Sequence, residues 1–228
     1  MTFCAVRSLP LSEETKQAWR AVGAFYPRRG SSVERIEQVA AGAEFILNLG
    51  SSKFVSDGTI QVWNQGNDIY PLLWPGMSRE LFDDLMPPRP TTFPSNVWIK
   101  PPGRGGRGKY HLNVGQELVL PRQWDWQVNV NGREYRLITV GDKIVQQFHR
   151  HGDNEDRSYQ WLPAEDTPSN IRAMAKTAAS RVYGENVIAW DLILDGAQAY
   201  LFEGNTCPGM SEPTAQRIVD AIREYQEV

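Results

Sequence analysis

Two cysteines and three histidines are all that the chain offers of the softer metal ligands. Cys4 and Cys207 lie near opposite ends, so neither a disulfide framework nor a zinc-type spacing can be built from them, and their scarcity fits a reducing, cytoplasmic setting. His149 and His151, close as they are, do not make a histidine-based metal site. No apolar run approaches the ~20 residues that span a bilayer, so no membrane partner is expected. The opening MTFCAVRSLPLSEETKQ turns polar too early for a signal peptide. Neither sign of charge dominates: 24 basic against 27 acidic residues leave a net charge of −3. That balance gives no global attraction to nucleic acid. Repeats, low-complexity tracts and charged tails are absent. What remains is an ordinary globular composition, 41% hydrophobic and 22% charged over 228 residues. Such a chain forms one large domain or two small ones and buries roughly 70% of its unfolded surface.

Strand and helix patterns are intermixed. Residues 3–8 read as a strand, and Ser12 with the acids after it opens a helix extending to about Phe25. Phe45 to Leu49 fits a buried strand. Ser78 is expected to cap a helix that ends before Pro87-Pro88, and the four prolines between Pro87 and Pro94 read as a connector. Beyond it the texture becomes β-rich. Val97-Trp98-Ile99-Lys100 runs into Pro101-Pro102-Gly103-Arg104-Gly105-Gly106-Arg107-Gly108. Short strands follow at Tyr110–Val114, Trp124–Val130, Tyr135–Val140 and Lys143–Phe148. Asn131-Gly132 and Gly141-Asp142 sit between the last three at hairpin spacing, which predicts an antiparallel meander. A helix over Pro168–Tyr183, strands at Val187–Leu194 and Ala199–Glu203, and a helix over Glu212–Gln226 complete an α+β pattern.

Three constellations carry chemistry. Glycines in Gly103–Gly108 let backbone N–H groups approach an anion, and Lys100 just before them supplies a point charge to a phosphate. The loop is neither a Walker A motif nor a dinucleotide fingerprint, because a strand rather than a helix follows. Its alternatives are an exposed hairpin tip or an Arg-Gly segment on RNA. The second constellation is Asp191, Glu203 and Asn205, two carboxylates and an amide oxygen on adjacent strands. Their hard oxygens suit Mg²⁺ bound to substrate phosphates, and their apolar sequence neighbours argue against plain surface charges. The third is Arg136, placed to neutralise a transferring phosphoryl group or, equally, to pair with Glu134 or Asp142 on the solvent face.

From Val97 to Met210 these pieces together resemble the ATP-grasp superfamily, in particular its carboxylate–amine ligases. The resemblance lies in Val97-Trp98-Ile99-Lys100-Pro101 ahead of the glycine loop and in Glu134-Tyr135-Arg136-Leu137 followed by Val140-Gly141-Asp142-Lys143. Asp191 and Glu203-Gly204-Asn205-Thr206-Cys207-Pro208-Gly209 complete it, the last resembling the family's Glu-x-Asn-x-x-Pro-Gly signature.

The resemblance implies that Lys100 contacts the nucleotide phosphates and that Gly103, Arg104, Gly105, Gly106, Arg107 and Gly108 close over them. Trp126, Gln127 and Val128 would form the strand that presents backbone groups to adenine. Arg136 would contact the γ-phosphate and the acyl phosphate, while Asp191, Glu203 and Asn205 hold Mg²⁺, with Mn²⁺ as an alternative. Where the family commonly has a second lysine this chain has Ser78-Arg79, so Arg79 would serve the α-phosphate. The implied activity is ATP-dependent joining of a carboxylate to an amine, each belonging to a small molecule, a peptide or a protein. The implied fold is ATP-grasp: residues 1–94 a shortened α/β domain, 95–163 a β-rich lid and 164–228 a metal-binding subdomain. An oligomer is compatible with all of this. Two other readings stand beside it: a phosphotransferase on the same scaffold, and a nucleic-acid-binding module using Arg104, Arg107, Lys109, Tyr110, Trp124 and Trp126.

Overall fold

The computed structural model describes residues 2–7, 11–73, 75–89, 97–100, 110–112, 125–128, 130–151, 158–182, 184–206 and 208–227. Its first third is an α/β unit. Strand β1 (Phe3–Arg7) leads into helix α1 (Glu13–Ala21), whose first turn is capped by Ser12: the hydroxyl accepts from the Thr15 N–H at 3.1 Å. The helix stops at Ala21 rather than Phe25, because Gly23 takes a left-handed φ of 100° and turns the chain back. Ala24–Phe25 is therefore a short strand, β2, parallel to β1. Helix α2 (Val33–Ala40), capped by Ser32, then leads to β3 (Ile46–Leu49) and β4 (Val62–Trp63). The four strands form one parallel sheet in the order β2-β1-β3-β4. Its strands are apolar on both faces, as parallel strands between helices must be. Cys4 lies inside it, and burial pushes its thiol up to about 11.

A short helix α3 (Gly66–Ile69) continues as a 3₁₀ turn at Tyr70–Leu73. Helix α4 (Pro75–Phe82) starts three residues before the expected cap. Proline is suited to this first position, where its missing N–H has no intrahelical partner. Ser78 lies within the helix, and its hydroxyl donates to the Pro71 carbonyl at 2.9 Å.

The remaining strands form two antiparallel sheets rather than one meander. Strands β5 (Val97–Lys100), β6 (Tyr110–Leu112) and β7 (Asp125–Val128) make a small sheet in the order β6-β5-β7. Strands β8 (Arg133–Val140), β9 (Lys143–His151), β10 (Ser158–Trp161), β11 (Val187–Asp195) and β12 (Gln198–Asn205) make a larger one, ordered β10-β9-β8-β11-β12. Thus Asn131-Gly132 is a crossing between sheets, not a hairpin turn joining β7 to β8. A Cβ on Gly132 would fall 2.3 Å from the Leu194 carbonyl oxygen, so this glycine serves a close approach to β11. Strands β8, β9 and β10 belong to the same sheet as β11 and β12, so that sheet has strands on both sides of the boundary expected at 163/164. Helices α5 (Ser169–Ser180) and α6 (Glu212–Gln226) cover its two faces.

Two cores follow from this layering. Beneath α5, Tyr135, Leu137, Ile188, Trp190, Leu192 and Leu201 pack with Ile171, Ala175 and Ala178. On the other face Ile138, Val140, Val187 and Ala189 join Phe3, Phe45, Leu47, Trp19 and the apolar side of α6. That second core is shared by the parallel and antiparallel sheets and makes them one body.

A polar fastener adds to it. Asn64 is fully buried, holds a left-handed φ of 62°, and donates Nδ2 to the carbonyls of Asn48 at 3.2 Å and Val187 at 3.0 Å. Its Oδ1 accepts from the Val187 N–H at 2.8 Å. Asn64→Ala leaves these groups buried and unpaired and loses a side chain that tolerates positive φ. A loss of about 2–4 kcal/mol is expected from urea denaturation, with the slope of the transition unchanged.

Candidate active site

Arg136, Asp191 and Glu203 stand side by side across three neighbouring strands. Asp191 on β11 is the register partner of Arg136 on β8 and of Glu203 on β12. Asn205, two residues beyond Glu203, is paired with Ala189. All occupy the face that carries Ile138, Val140 and Ala189, at the end of the sheet where that apolar cover gives way to polar groups.

Strict alternation along β12 would not have produced this row. Ala199 and Leu201 point into the core beneath α5, and a continuous period of two would send Glu203 there as well. The register shifts between Asp191 and Leu192: Leu192 faces Leu201 while Asp191 faces Glu203. Phe202 is the extra residue of a β-bulge, and the bulge transfers Glu203 and Asn205 to the opposite face. Gly204 consequently points into the α5 core. A Cβ there would lie 2.8 Å from Trp190 Cζ3 and 3.2 Å from Leu72 Cδ2, so only glycine fits between the two polar residues without displacement. Trp190 itself is fixed by its indole N–H, which donates to Thr139 Oγ1 at 2.9 Å.

The electrostatics centre on the pair of Arg136 and Asp191. Arg136 Nε and Nη2 each donate to a different Asp191 oxygen at 2.6 Å, a bidentate fork. Burial opposes charge on Arg136, but the hydrogen bonds and charge of Asp191, together with Glu203, outweigh it and move its pKa up. Burial raises Asp191 above the ordinary carboxylate range; Arg136 offsets part of this, while Glu203, which also hydrogen-bonds it, adds to the rise. The Tyr159 ring lies beneath the Arg136 guanidinium at 4.5 Å and holds its plane. Burial and the Asp191 charge raise the Tyr159 pKa, so the ring remains a neutral phenol. Sequence reading gave Tyr159 no role, although Ser158–Trp161 is a short run with two aromatics. Glu134, one of the alternative partners of Arg136, pairs with Arg150 instead.

Two carboxylates and an amide oxygen are hard oxygen donors of the kind that Mg²⁺ takes. No group of three or more His, Cys, Asp or Glu side chains suited to a metal occurs among the described residues.

The other expected residues lie elsewhere or outside the description. Lys100 ends β5 and is the register partner of Asp125, while Trp126 pairs with Ile99. Gln127 is fully buried on β7, and the Val128 N–H donates to the Pro88 carbonyl at 3.1 Å. Arg79 is buried against β7 and forks onto Asp125. Gly103, Arg104, Gly105, Gly106, Arg107 and Gly108 lie outside the described residues, as do Lys109 and Trp124. Beyond the bulge, the Met210 N–H donates to Thr15 Oγ1 at 3.3 Å, which ties the segment leading into α6 to the start of α1.

No known family profile matches the chain, and no curated relative matches it. Solved structures do. A D-alanine–D-alanine ligase from Bacillus anthracis, complexed with ATP, superposes with a TM-score of 0.65 at 13% identity, covering 98% of this chain and 97% of that one. The ATP-grasp ligase PsnB, complexed with a phosphomimetic variant of its minimal precursor, Mg and ADP, gives 0.65 at 12% identity, covering 97% of each chain. A RimK domain ATP-grasp protein from Sphaerobacter thermophilus gives 0.64 at 16% identity, covering 96% and 98%. The chain has the ATP-grasp fold, with a parallel α/β unit in front of two antiparallel sheets.

Because Gly204 separates the two polar residues, Gly204→Ala is expected to cost about 1–3 kcal/mol through overpacking against Trp190. Adding Trp190→Phe should recover part of that loss. Urea denaturation of both single variants and the double variant measures the coupling.

Proposed function

We propose that the protein is an ATP- and Mg²⁺-dependent ligase that joins a carboxylate to an amine. The observation that supports it most is the row Arg136–Asp191–Glu203, assembled on one face by a bulge and lying in a fold shared with ATP-dependent ligases. Asp191, Glu203 and the Asn205 amide oxygen would hold the divalent cation, which contributes charge neutralisation beside the triphosphate. Lys100 and Gly103–Gly108 would contact the phosphates. Of the five N–H donors of Arg136, two serve Asp191, and the remainder would meet the oxygens of the transferring phosphoryl group.

The reaction proceeds in two displacements. A carboxylate oxygen attacks the γ-phosphorus, the bond to ADP breaks, and an acyl phosphate forms. The amine nitrogen then attacks the acyl carbon, the carbon–oxygen bond to phosphate breaks, and the nitrogen loses a proton to the departing phosphate or to water. Neither step needs a covalent protein nucleophile. What the chain supplies is positioning, and charge that opposes the charge building on the phosphoryl oxygens. Arg136 suits this task because Asp191 and Tyr159 already fix its plane, so little reorganisation accompanies the reaction. The carboxylate and the amine can each come from a small molecule, a peptide or a protein.

An ADP-release screen of carboxylic acids crossed with amines, with mass detection of product, tests the reading. ADP formation should require both substrates, and Glu203→Gln should lower it by about 10²-fold or more without loss of secondary structure. A phosphorylated product that forms without any amine would favour a phosphotransferase. Full activity in Glu203→Gln would refute the metal assignment.

A further inference from the structure

Arg79, near the end of α4, is 1% exposed, and its guanidinium is committed to protein partners. Nε donates to Asp125 Oδ1 at 3.0 Å and Nη2 to Asp125 Oδ2 at 3.2 Å. Nη1 donates to the Pro87 carbonyl at 2.7 Å, and Nη2 also reaches Gln127 Oε1 at 3.5 Å. Asp83, exposed just past the end of the helix, faces Nη1 at 3.5 Å. Arg89 approaches the same Asp125 oxygen at 3.2 Å from the connector. Asp125 and Gln127 are fully buried, and both belong to β7, two residues apart on one face of the strand. The strand is also held through its backbone, by the hydrogen bond from Val128 to Pro88. Side chains and main chain of α4 and the connector thus converge on β7.

This network explains why arginine stands here. A lysine ammonium serves a phosphate as a point charge as readily as a guanidinium does. It cannot grip both oxygens of Asp125 while also meeting the Pro87 carbonyl and Gln127; the planar fork of arginine can. Because Arg79 donates to Gln127 Oε1, the amide orientation is set, and Gln127 Nε2 is left buried and without a partner among the described residues. A buried donor of this kind calls for an acceptor. Asp125 is moreover the register partner of Lys100, so the network borders the position assigned to the phosphates.

We propose that Arg79 is a positioning residue of the nucleotide site: through Asp125, Gln127 and the Pro87 carbonyl it holds β7 where the strand meets the base, and it makes no phosphate contact itself. This rests on the reading of β5 and β7 as nucleotide-binding strands.

Adenosine and ATP separate the two roles, since they share the base and differ in the phosphates. Isothermal titration with each is made on the wild type, on Arg79→Lys and on the double variant Arg79→Met/Asp125→Leu. The double variant replaces the buried pair by apolar side chains, a change that folded proteins often accept without loss of stability. Both variants should bind adenosine and ATP more weakly by the same factor, about tenfold, the worth of one or two hydrogen bonds. The urea midpoint of the double variant should stay near that of the wild type. A loss confined to ATP would make Arg79 a phosphate ligand and overturn the proposal. Unchanged affinity for both ligands in a folded variant would make the network merely structural and overturn it too. Wild-type protein that binds neither ligand would instead refute the nucleotide site itself.

Discussion

The β-bulge at Phe202 is the constraint on which the site depends. One extra residue in β12 lets Leu201 remain in the core beneath α5 while Glu203 crosses to the face of Asp191 and Arg136. Without it the two carboxylates would sit on opposite faces of the sheet, and the guanidinium fork on Asp191 would neutralise an isolated acid. With it, Asp191 and Glu203 face each other beside Arg136, and burial together with Glu203 moves the Asp191 pKa up. The bulge therefore brings both acids and the guanidinium to one face of an otherwise apolar hairpin.

The surrounding packing holds that irregularity in place. Trp190 fills the space over Gly204 and is oriented by Thr139, so the residue between Glu203 and Asn205 cannot carry a side chain. On the other face Ala189 belongs to the core that α6 and the parallel sheet share, and Asn64 fastens the start of β11 to the end of β4. The segment leading into α6 is tied to α1 through Met210 and Thr15. The parallel unit is thus bonded to both ends of the functional segment, and its brevity does not separate it from the site.

Much of this was legible in the sequence, for reasons that can be stated. Asp191, Glu203 and Asn205 were readable because polar residues in apolar strands need partners and because residues two apart share a face. The limits of α6 followed from its amphipathic pattern, and the α/β character of the start from the family resemblance. Other features lay outside what local patterns can show. Asn131-Gly132 has hairpin chemistry, yet β7 pairs with β5 and β8 with β11, a choice made by distant strands. The helix expected to reach Phe25 stops at Ala21, because Gly23 turns the chain back and Ala24 and Phe25 find a partner in β1. Arg79 was placed by its position relative to a lysine of the family, whereas its partners Asp125 and Gln127 lie more than forty residues away. Tyr159 had no visible role until the fold brought it beneath Arg136.

The central claim is that Asp191 and Glu203 together receive a nucleotide-bound divalent cation. Electron paramagnetic resonance of Mn²⁺ titrated with and without ADP addresses it directly, comparing the wild type with Asp191→Asn. Tight Mn²⁺ binding that requires ADP in the wild type and is lost in Asp191→Asn is the predicted result. Binding that ignores ADP, or that survives the substitution unchanged, would contradict the account.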